Sequence, residues 1–439
     1  MKRGILVVIL FFNMLLVACV NTNVGTTMEG AQYIAKTDYG DYRFNGYHTQ
    51  NTLISEKGLL QQAIGHWKTW LLSVTTTFNS SGELIYLDMS SQNNGSYFLF
   101  DSLDSIKQEE EGIKLVKNDK TVATISATGK PAEAIHYNQL YDNIKDTLVR
   151  TYYYPKDLNE TWFTNYLNEL KESINRSKDD VALLAHAFVL SRELPVSHIS
   201  LSRFDQCQTP LPQSTGITLE RLTEHTLLVS VKHFFEQFHV GSEIKTMLKQ
   251  EPAIKNVIID LTQASGGDLS AMKLAEAFSA KSLQGGYFVS GKWWHEHSAP
   301  PSQRETNRSK VADSDISIEQ FNQLVADHAI ISVQTKETES DFDGKVFILT
   351  SNKTGSAAEA FAAVMQYHNK AILVGQNTAG AMLTSIRQCV GDGWILQLPV
   401  ADYYLPNGQR LEGQPTVPNI ITEPSQQLST VTQVLAETF

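Results

Sequence analysis

Ser356 stands where a hydroxyl group can do chemistry. The apolar run 346–349 reads as a strand, the next residues as a small loop ending in Thr354-Gly355, and the alanine-rich stretch 357–366 as a helix beginning directly after the serine. A side chain in that place meets unpaired backbone N–H groups and the positive end of the helix dipole, which together stabilise an alkoxide or a tetrahedral oxyanion. Ser356 is therefore a candidate nucleophile, although serine is also a preferred helix N-cap and the loop lacks the Gly-x-Ser-x-Gly elbow. A serine hydroxyl is almost fully protonated at neutral pH, so a base must accompany it. His198, in Ser197-His198-Ile199-Ser200, follows a helical segment ending at Leu194-Pro195 and opens an extended one; a lone histidine there also suits a structural role. After the apolar segment 256–261, Gly266 and Gly267 lead toward another helix. Paired glycines allow close backbone approach and can aim N–H groups at an oxyanion, or can simply make a tight turn.

The elements that must position these residues form an α/β layout. Residues 30–130 alternate apolar and polar side chains in short runs such as 68–74, 83–87 and 96–100, with turn-forming Asn, Ser and Gly between them. That pattern predicts a small antiparallel β-rich accessory domain. Residues 131–196 change to a helical period, with helices over 162–174 and 179–194 and a tyrosine run, Tyr152-Tyr153-Tyr154, suited to packing. Residues 197–425 alternate strands (226–231, 256–261, 346–349, 371–374, 394–398) with helices (269–280, 357–366), the signature of an α/β core. Within it, 284–343 reads as a polar, irregular insertion containing Trp293-Trp294 and a helix over 318–329, suited to covering the site.

Lys2 and Arg3 precede an apolar stretch over 5–17, the anatomy of an export signal. Leu16-Val17-Ala18-Cys19 resembles a bacterial lipobox, so 1–19 is expected to be a lipoprotein signal peptide ending at a lipidated Cys19, with 20–29 as a tether; an ordinary secretory signal with an incidental cysteine is the alternative. The expected location is extracytoplasmic, anchored to a bacterial membrane through this lipid. Val20, in place of an aspartate, points to the outer membrane facing the periplasm. With 36 basic and 47 acidic residues, a net charge of −11 and no basic cluster, nucleic acid is excluded as a partner. No cofactor motif occurs, and His295-Glu296-His297 reads as solvated residues rather than metal ligands. The spacing of Cys207 and Cys389 leaves their pairing open.

Taken in order, four pieces resemble the tail-specific (C-terminal-processing) and tricorn-core serine peptidase family. They are the strand with Gly266-Gly267, the stretch Thr354-Gly355-Ser356-Ala357-Ala358-Glu359, Gly375-Gln376-Asn377-Thr378-Ala379-Gly380, and Pro406-Asn407-Gly408 through Glu412-Gly413 to Pro418. The resemblance implies a crotonase-like α/β peptidase core with no cofactor and a peptide or protein substrate. Ala381 stands where the Ser-Lys branch has its lysine, whereas Ser197, His198, Ser356 and Glu412 match the Ser-His-Glu branch. The implied roles are Ser356 as nucleophile, His198 as general base, Glu412 as stabiliser of the imidazolium directly or through Ser197, and Gly266 or Gly267 with Ala357 as the oxyanion hole. Thr262, Ala264, Pro415 and Asn419 depart from the family pattern, and 200–256 is too short for the inserted PDZ module of many members. Two other readings share this core: a non-catalytic binding protein for a peptide or lipophilic ligand, as retinoid-binding relatives resemble it, and a small-substrate esterase or amidase.

Overall fold

A computed structural model describes residues 133–437, apart from 178–179, 205–206, 208–215, 236–238 and 340–341, together with strand segments between Gly30 and Pro131. Residues 1–19 and 20–29, expected as signal peptide and tether, and segments 68–71 and 96–100 lie outside the described residues.

The strands Asn256–Asp260 and Lys345–Thr350 are short, unbroken apolar runs, as expected of parallel strands buried on both faces. They pair in parallel, Val257 opposite Val346 and Ile259 opposite Ile348. Thr226–Val231 and Ile372–Gly375 flank them, and Ile217–Thr223 and Ile420–Ile421 close the two edges. Side chains alternate across this sheet. Val257, Ile259, Val346, Ile348 and Leu373 pack against the helices Val240–Gln250, Ser270–Ala275 and Ala357–Tyr367, whereas Ile258, Phe347, Leu349 and Val374 meet Val431 of the C-terminal helix Gln427–Ala436.

A second sheet orders Lys310–Asp313, Ile330–Gln334, Gln284–Ser290, Trp394–Tyr404 and Leu383–Gly391, and Ser200–Arg203 pairs with the start of Trp394–Tyr404. The helix Ala357–Tyr367 lies between the sheets, with Ala358, Phe361, Ala362 and Met365 toward the first and Ala360, Ala363 and Val364 toward the second. Its alanine content follows from this: small side chains let two layers approach one helix from opposite sides.

Three expectations are corrected here. Segment 284–343 is not irregular, because it supplies three strands of the second sheet, and Phe288 sits opposite Ile331 in that sheet. Two glycines near the start of Gln284–Ser290 and the mostly exposed edge strand Lys310–Asp313 obscure its alternation. The helix expected over 269–280 stops at Ala275, where turns from Ala277 N–H to Leu274 O and Phe278 N–H to Ala275 O carry Phe278 into the core. The strand at 394 continues to Tyr404 through Pro399, which sits beside a register shift where a missing N–H is tolerated.

Against the second sheet lie the helices Leu140–Thr151, Thr161–Arg176 and Asp180–Arg192. Leu140, Ile144 and Leu148, and Phe163, Tyr166, Leu170 and Ile174, recur at helical spacing and join Trp293, Trp294, Trp394 and Leu396 in one core. The N-terminal segments form an antiparallel six-stranded sheet in the order Thr52–Ser55, Gly40–Thr49, Gly30–Thr37, Lys120–Pro131, Gly112–Lys117, Ser105–Glu109. Arg43 of this sheet donates to the fully buried Asp180 at 2.9 and 3.1 Å, and Tyr137 donates to the same carboxylate at 3.1 Å.

Candidate active site

Ser356 follows the C-terminal end of Lys345–Thr350, and Gly266-Gly267 follow the same end of the neighbouring strand Asn256–Asp260. Ligand sites of parallel sheets gather at that edge. The turn between strand and serine is pinned to the adjacent loop. Ser351 Oγ donates to Thr262 O at 2.6 Å, Thr354 Oγ1 to Leu261 O at 2.8 Å, and Gly355 N–H to Ala264 O at 3.1 Å. Ser356 itself takes φ 53° and ψ −130°, a conformation that L-residues rarely occupy, and its N–H donates to Ala381 O at 2.9 Å. Its hydroxyl makes no capping hydrogen bond, so the residue sits at the N-cap position without performing that task.

A line of side chains leads away from the hydroxyl. His198 Nε2 lies 3.4 Å from Ser356 Oγ, His198 Nδ1 lies 2.5 Å from Ser197 Oγ, and Ser197 Oγ donates to Glu412 Oε2 at 2.9 Å. The Ser197 hydroxyl has one proton. Because it goes to the carboxylate, the oxygen must accept from Nδ1–H, and Nε2 is left with its lone pair toward Ser356. Glu412 is held by two further donors, Ser197 N–H and Met382 N–H, each at 2.7 Å. Burial lowers the imidazolium pKa of His198 to about 4, so the ring is neutral and able to accept a proton near neutrality. Burial pushes the Glu412 carboxyl up, opposed by the bonds from Ser197 and Met382 and by the nearby Arg410 charge.

Gly266 stands directly against the serine: a Cβ there would lie 2.5 Å from Ser356 Cβ and 3.1 Å from Oγ. At Gly267 a Cβ would lie 1.6 Å from Phe234 O, because the chain pairs with Phe234. Both positions need glycine on steric grounds, and both have positive φ. Among the described residues, none accepts a hydrogen bond from the backbone N–H of Gly266, Gly267 or Ala357. The structure thus brings together Ser356, His198, Ser197, Glu412 and Gly266 as neighbours, with Gly267 and Ala357 next to them in the chain. Cys19 lies outside the described residues.

Residues 225–422 match the model of peptidase family S41. This segment, 198 of the chain's 439 residues, holds Gly266, Gly267, Ser356 and Glu412, and over it the chain is similar to peptidase family S41. It is a serine-type peptidase, and its substrate class is peptide or protein. Among solved structures the chain is similar to a lipoprotein from Streptococcus agalactiae, with 16% identity over 67% of this chain and 94% of that one and a TM-score of 0.47. It is also similar to the photosystem II D1 C-terminal processing protease (11% identity, 69% and 98% covered, TM-score 0.41) and to the tricorn protease (10% identity, 92% and 46% covered, TM-score 0.38). No curated protein matches the sequence.

Beside Ser356 the S41 core opens a pocket of about 100 Å³, lined mainly by Leu269, Met272, Phe288, Phe321, Met382 and Tyr403. Phe288 and Phe321 come from the segment expected only to cover the site, so that segment helps to build the pocket wall. Sequence reasoning assigned no role to Glu359. It is fully buried, and its carboxylate accepts the N–H groups of Gly380 (2.9 Å) and Ala381 (3.0 Å) and a short bond from the Thr378 hydroxyl. The available signal was a carboxylate inside an otherwise apolar, alanine-rich helix. His297 stacks on Trp293 with ring centroids 3.7 Å apart, and among the described residues no cluster of three His, Cys, Asp or Glu residues could hold a metal. Cys207 and Cys389, left open by the sequence, are joined in a disulfide.

Proposed function

We propose that this S41 peptidase cleaves peptide bonds through an acyl-enzyme on Ser356, with His198 as general base and then general acid, and that it works outside the cytoplasm on a lipid anchor at Cys19. The observation that carries the catalytic reading is the hydrogen-bonded line Ser356–His198–Ser197–Glu412, with a neutral imidazole at its centre. Ser356 Oγ attacks the scissile carbonyl carbon while its proton passes to His198 Nε2. Negative charge forming on the carbonyl oxygen is met by the N–H groups of Ala357 and Gly266 or Gly267, and the imidazolium is stabilised by Glu412 through Ser197. The imidazolium then protonates the departing amine, leaving an ester on Ser356. Water, deprotonated by His198, hydrolyses that ester and restores the enzyme. The 3.4 Å separation of Nε2 and Oγ fits a free enzyme, in which catalytic hydrogen bonds are commonly long. The pocket beside the serine supports an apolar side chain on the acyl side of the cleaved bond.

The anchor rests on the basic residues, apolar stretch and Leu16-Val17-Ala18-Cys19 of the N-terminus. Sorting to the outer membrane, facing the periplasm, is the corresponding location in a host with two membranes.

Full-length protein is to be assayed with an apolar-residue peptide panel and a fluorophosphonate probe. Ser356→Ala and His198→Ala should each reduce kcat by roughly 10⁴-fold or more while leaving the circular dichroism spectrum unchanged, and Ser356→Ala should abolish labelling. Activity surviving both substitutions rejects the assignment. In a bacterial host the wild type should incorporate a supplied radiolabelled fatty acid and Cys19→Ala should not; absence of incorporation into the wild type rejects the anchor.

A further inference from the structure

Glu412 closes a turn that carries a second charge the mechanism does not use. The strand Trp394–Tyr404 runs into Leu405-Pro406-Asn407-Gly408, and the chain returns through an antiparallel bridge between Tyr404 and Arg410. The Arg410 guanidinium spreads over three partners. Its Nε donates to Asp402 Oδ2 at 2.7 Å, one terminal nitrogen to the backbone oxygen of Glu412 at 3.2 Å, and the other to the Tyr153 hydroxyl at 3.2 Å. Asp402 is buried to 2% exposure, and its carboxylate also accepts Tyr403 N–H at 2.9 Å and the Tyr404 hydroxyl at 3.3 Å. A carboxylate at that depth persists only with a cation and donors around it. A planar fork with five donors can serve three differently placed acceptors at once, which an ammonium on a flexible stem does poorly.

Neither Arg410 nor Asp402 bonds to Ser356, His198 or Ser197, yet the guanidinium holds the peptide group of the residue whose carboxylate orients the histidine. We propose that Arg410, balanced by Asp402, is the positioning residue of Glu412: it fixes the backbone at 412 so that the carboxylate meets Ser197, and its charge favours the ionised form of that buried carboxylate. This rests on the catalytic reading of Ser356, His198 and Glu412 given above. The groups that face Glu412 are Ser197 and His198 from the segment before Ser200–Arg203, Met382 N–H, and Tyr152 and Tyr153 from the end of the helix Leu140–Thr151. Burial holds both tyrosine hydroxyls well above the usual phenol range, so they stay neutral at working pH, while Arg410 contributes positive charge.

The test is a double-mutant cycle read by kcat, KM and the pH profile of kcat/KM, using Arg410→Gln, Arg410→Lys, Glu412→Gln and the combined variants. Arg410→Gln should lower kcat roughly tenfold, the scale of one charge-assisted hydrogen bond, with little change in KM, and should move the acid limb to higher pH. Arg410→Lys should restore the limb more fully than it restores kcat. In the Glu412→Gln background both Arg410 substitutions should add no further loss, because the group they act through is already neutral. An equal penalty in both backgrounds, or an acid limb that does not move, overturns the proposal and marks Arg410 as a structural residue only. A costly Glu412→Gln beside a silent Arg410→Gln overturns the positioning role and leaves the catalytic reading standing, whereas a silent Glu412→Gln overturns both. Arg410→Lys keeps the charge beside Asp402, so it carries the comparison if the glutamine variant does not fold.

Discussion

In the proposed mechanism His198 must be uncharged before attack and charged during it, and its neighbours divide those requirements. Burial holds the free imidazolium pKa near 4, which keeps the base available, while Glu412 acts through the Ser197 hydroxyl on the charge that appears later. Two hydroxyls thus flank one ring with opposite duties: Ser356 gives a proton to Nε2 during attack, and Ser197 accepts a hydrogen bond from Nδ1–H. The pH consequence has a definite sign. The histidine is protonated, and inactive as a base, only below its lowered pKa near 4, and Glu412, whose carboxyl is pushed up, must also be ionised, so the acid limb of kcat/KM should lie above about 4 but short of the ordinary histidine value. A rise centred near the ordinary histidine value of about 6.5, recorded with a peptide substrate at constant ionic strength, would contradict this environment. For stability the same shift works against the native state in acid: the unfolded chain binds the proton first, so this group's contribution declines as pH falls from about 6.5 toward 4. Glu412, whose carboxyl is pushed up, opposes that trend.

The helix Ala357–Tyr367 and the loop 378–382 act as one positioning unit. Glu359 reaches from the first turn of the helix to the N–H groups of Gly380 and Ala381. The carbonyl of Ala381 then receives Ser356 N–H, and the next N–H, of Met382, reaches Glu412. Three successive residues therefore tie the strained serine and the orienting carboxylate to one buried anion. Position 381 has an alanine, and here its backbone rather than a basic side chain contributes to the site. Glu359→Ala would leave several buried donors without an acceptor, at about 1–3 kcal/mol each. It should lower unfolding free energy by roughly 3 kcal/mol or more in urea denaturation and reduce kcat in the fraction that remains folded. A variant with unchanged denaturation midpoint and turnover would show that the loop holds its shape without this anion.

At the scale of the molecule, the proposed catalytic line is assembled across layers. His198 comes from the segment leading into Ser200–Arg203, which adds to the second sheet, whereas Ser356 comes from the end of the first sheet. The disulfide between Cys207 and Cys389 ties the region after the histidine strand to Leu383–Gly391, the strand that follows Met382. Its sequence separation of 182 residues closes a long loop. In the chain-entropy account such a loop is worth about 5 kcal/mol through the unfolded state. Cys207→Ala or Cys389→Ala should therefore lower the denaturation midpoint, while leaving the rate of fluorophosphonate labelling below the transition nearly unchanged; a midpoint equal to wild type would argue against the cross-link. A second tie is Asp180, fully buried where Arg43 of the N-terminal sheet and Tyr137 of the core meet.

Local patterns by themselves determined the strand, turn and helix around Ser356, the glycine pair after 261, and the tyrosines and leucines of the helical layer. Each records burial along a single element, and burial has a period that can be read within a few turns or strands. The resemblance of ordered motifs added His198, Ser197 and Glu412 as candidates, but no local signal places a glutamate next to a serine 215 residues away. Their meeting was decided by tertiary structure, through the register of Ser200–Arg203 on Trp394–Tyr404 and the turn that returns the chain at Arg410. The same distinction explains segment 284–343, whose strands look irregular singly because glycines and an exposed edge interrupt the alternation, and become regular only when paired. It also explains Glu359, Arg410 and the disulfide. A buried charge is legible only together with the backbone donors or counter-charge that neutralise it, and two thiols only with the fold that joins them, because these partners are brought into reach by packing rather than by sequence proximity.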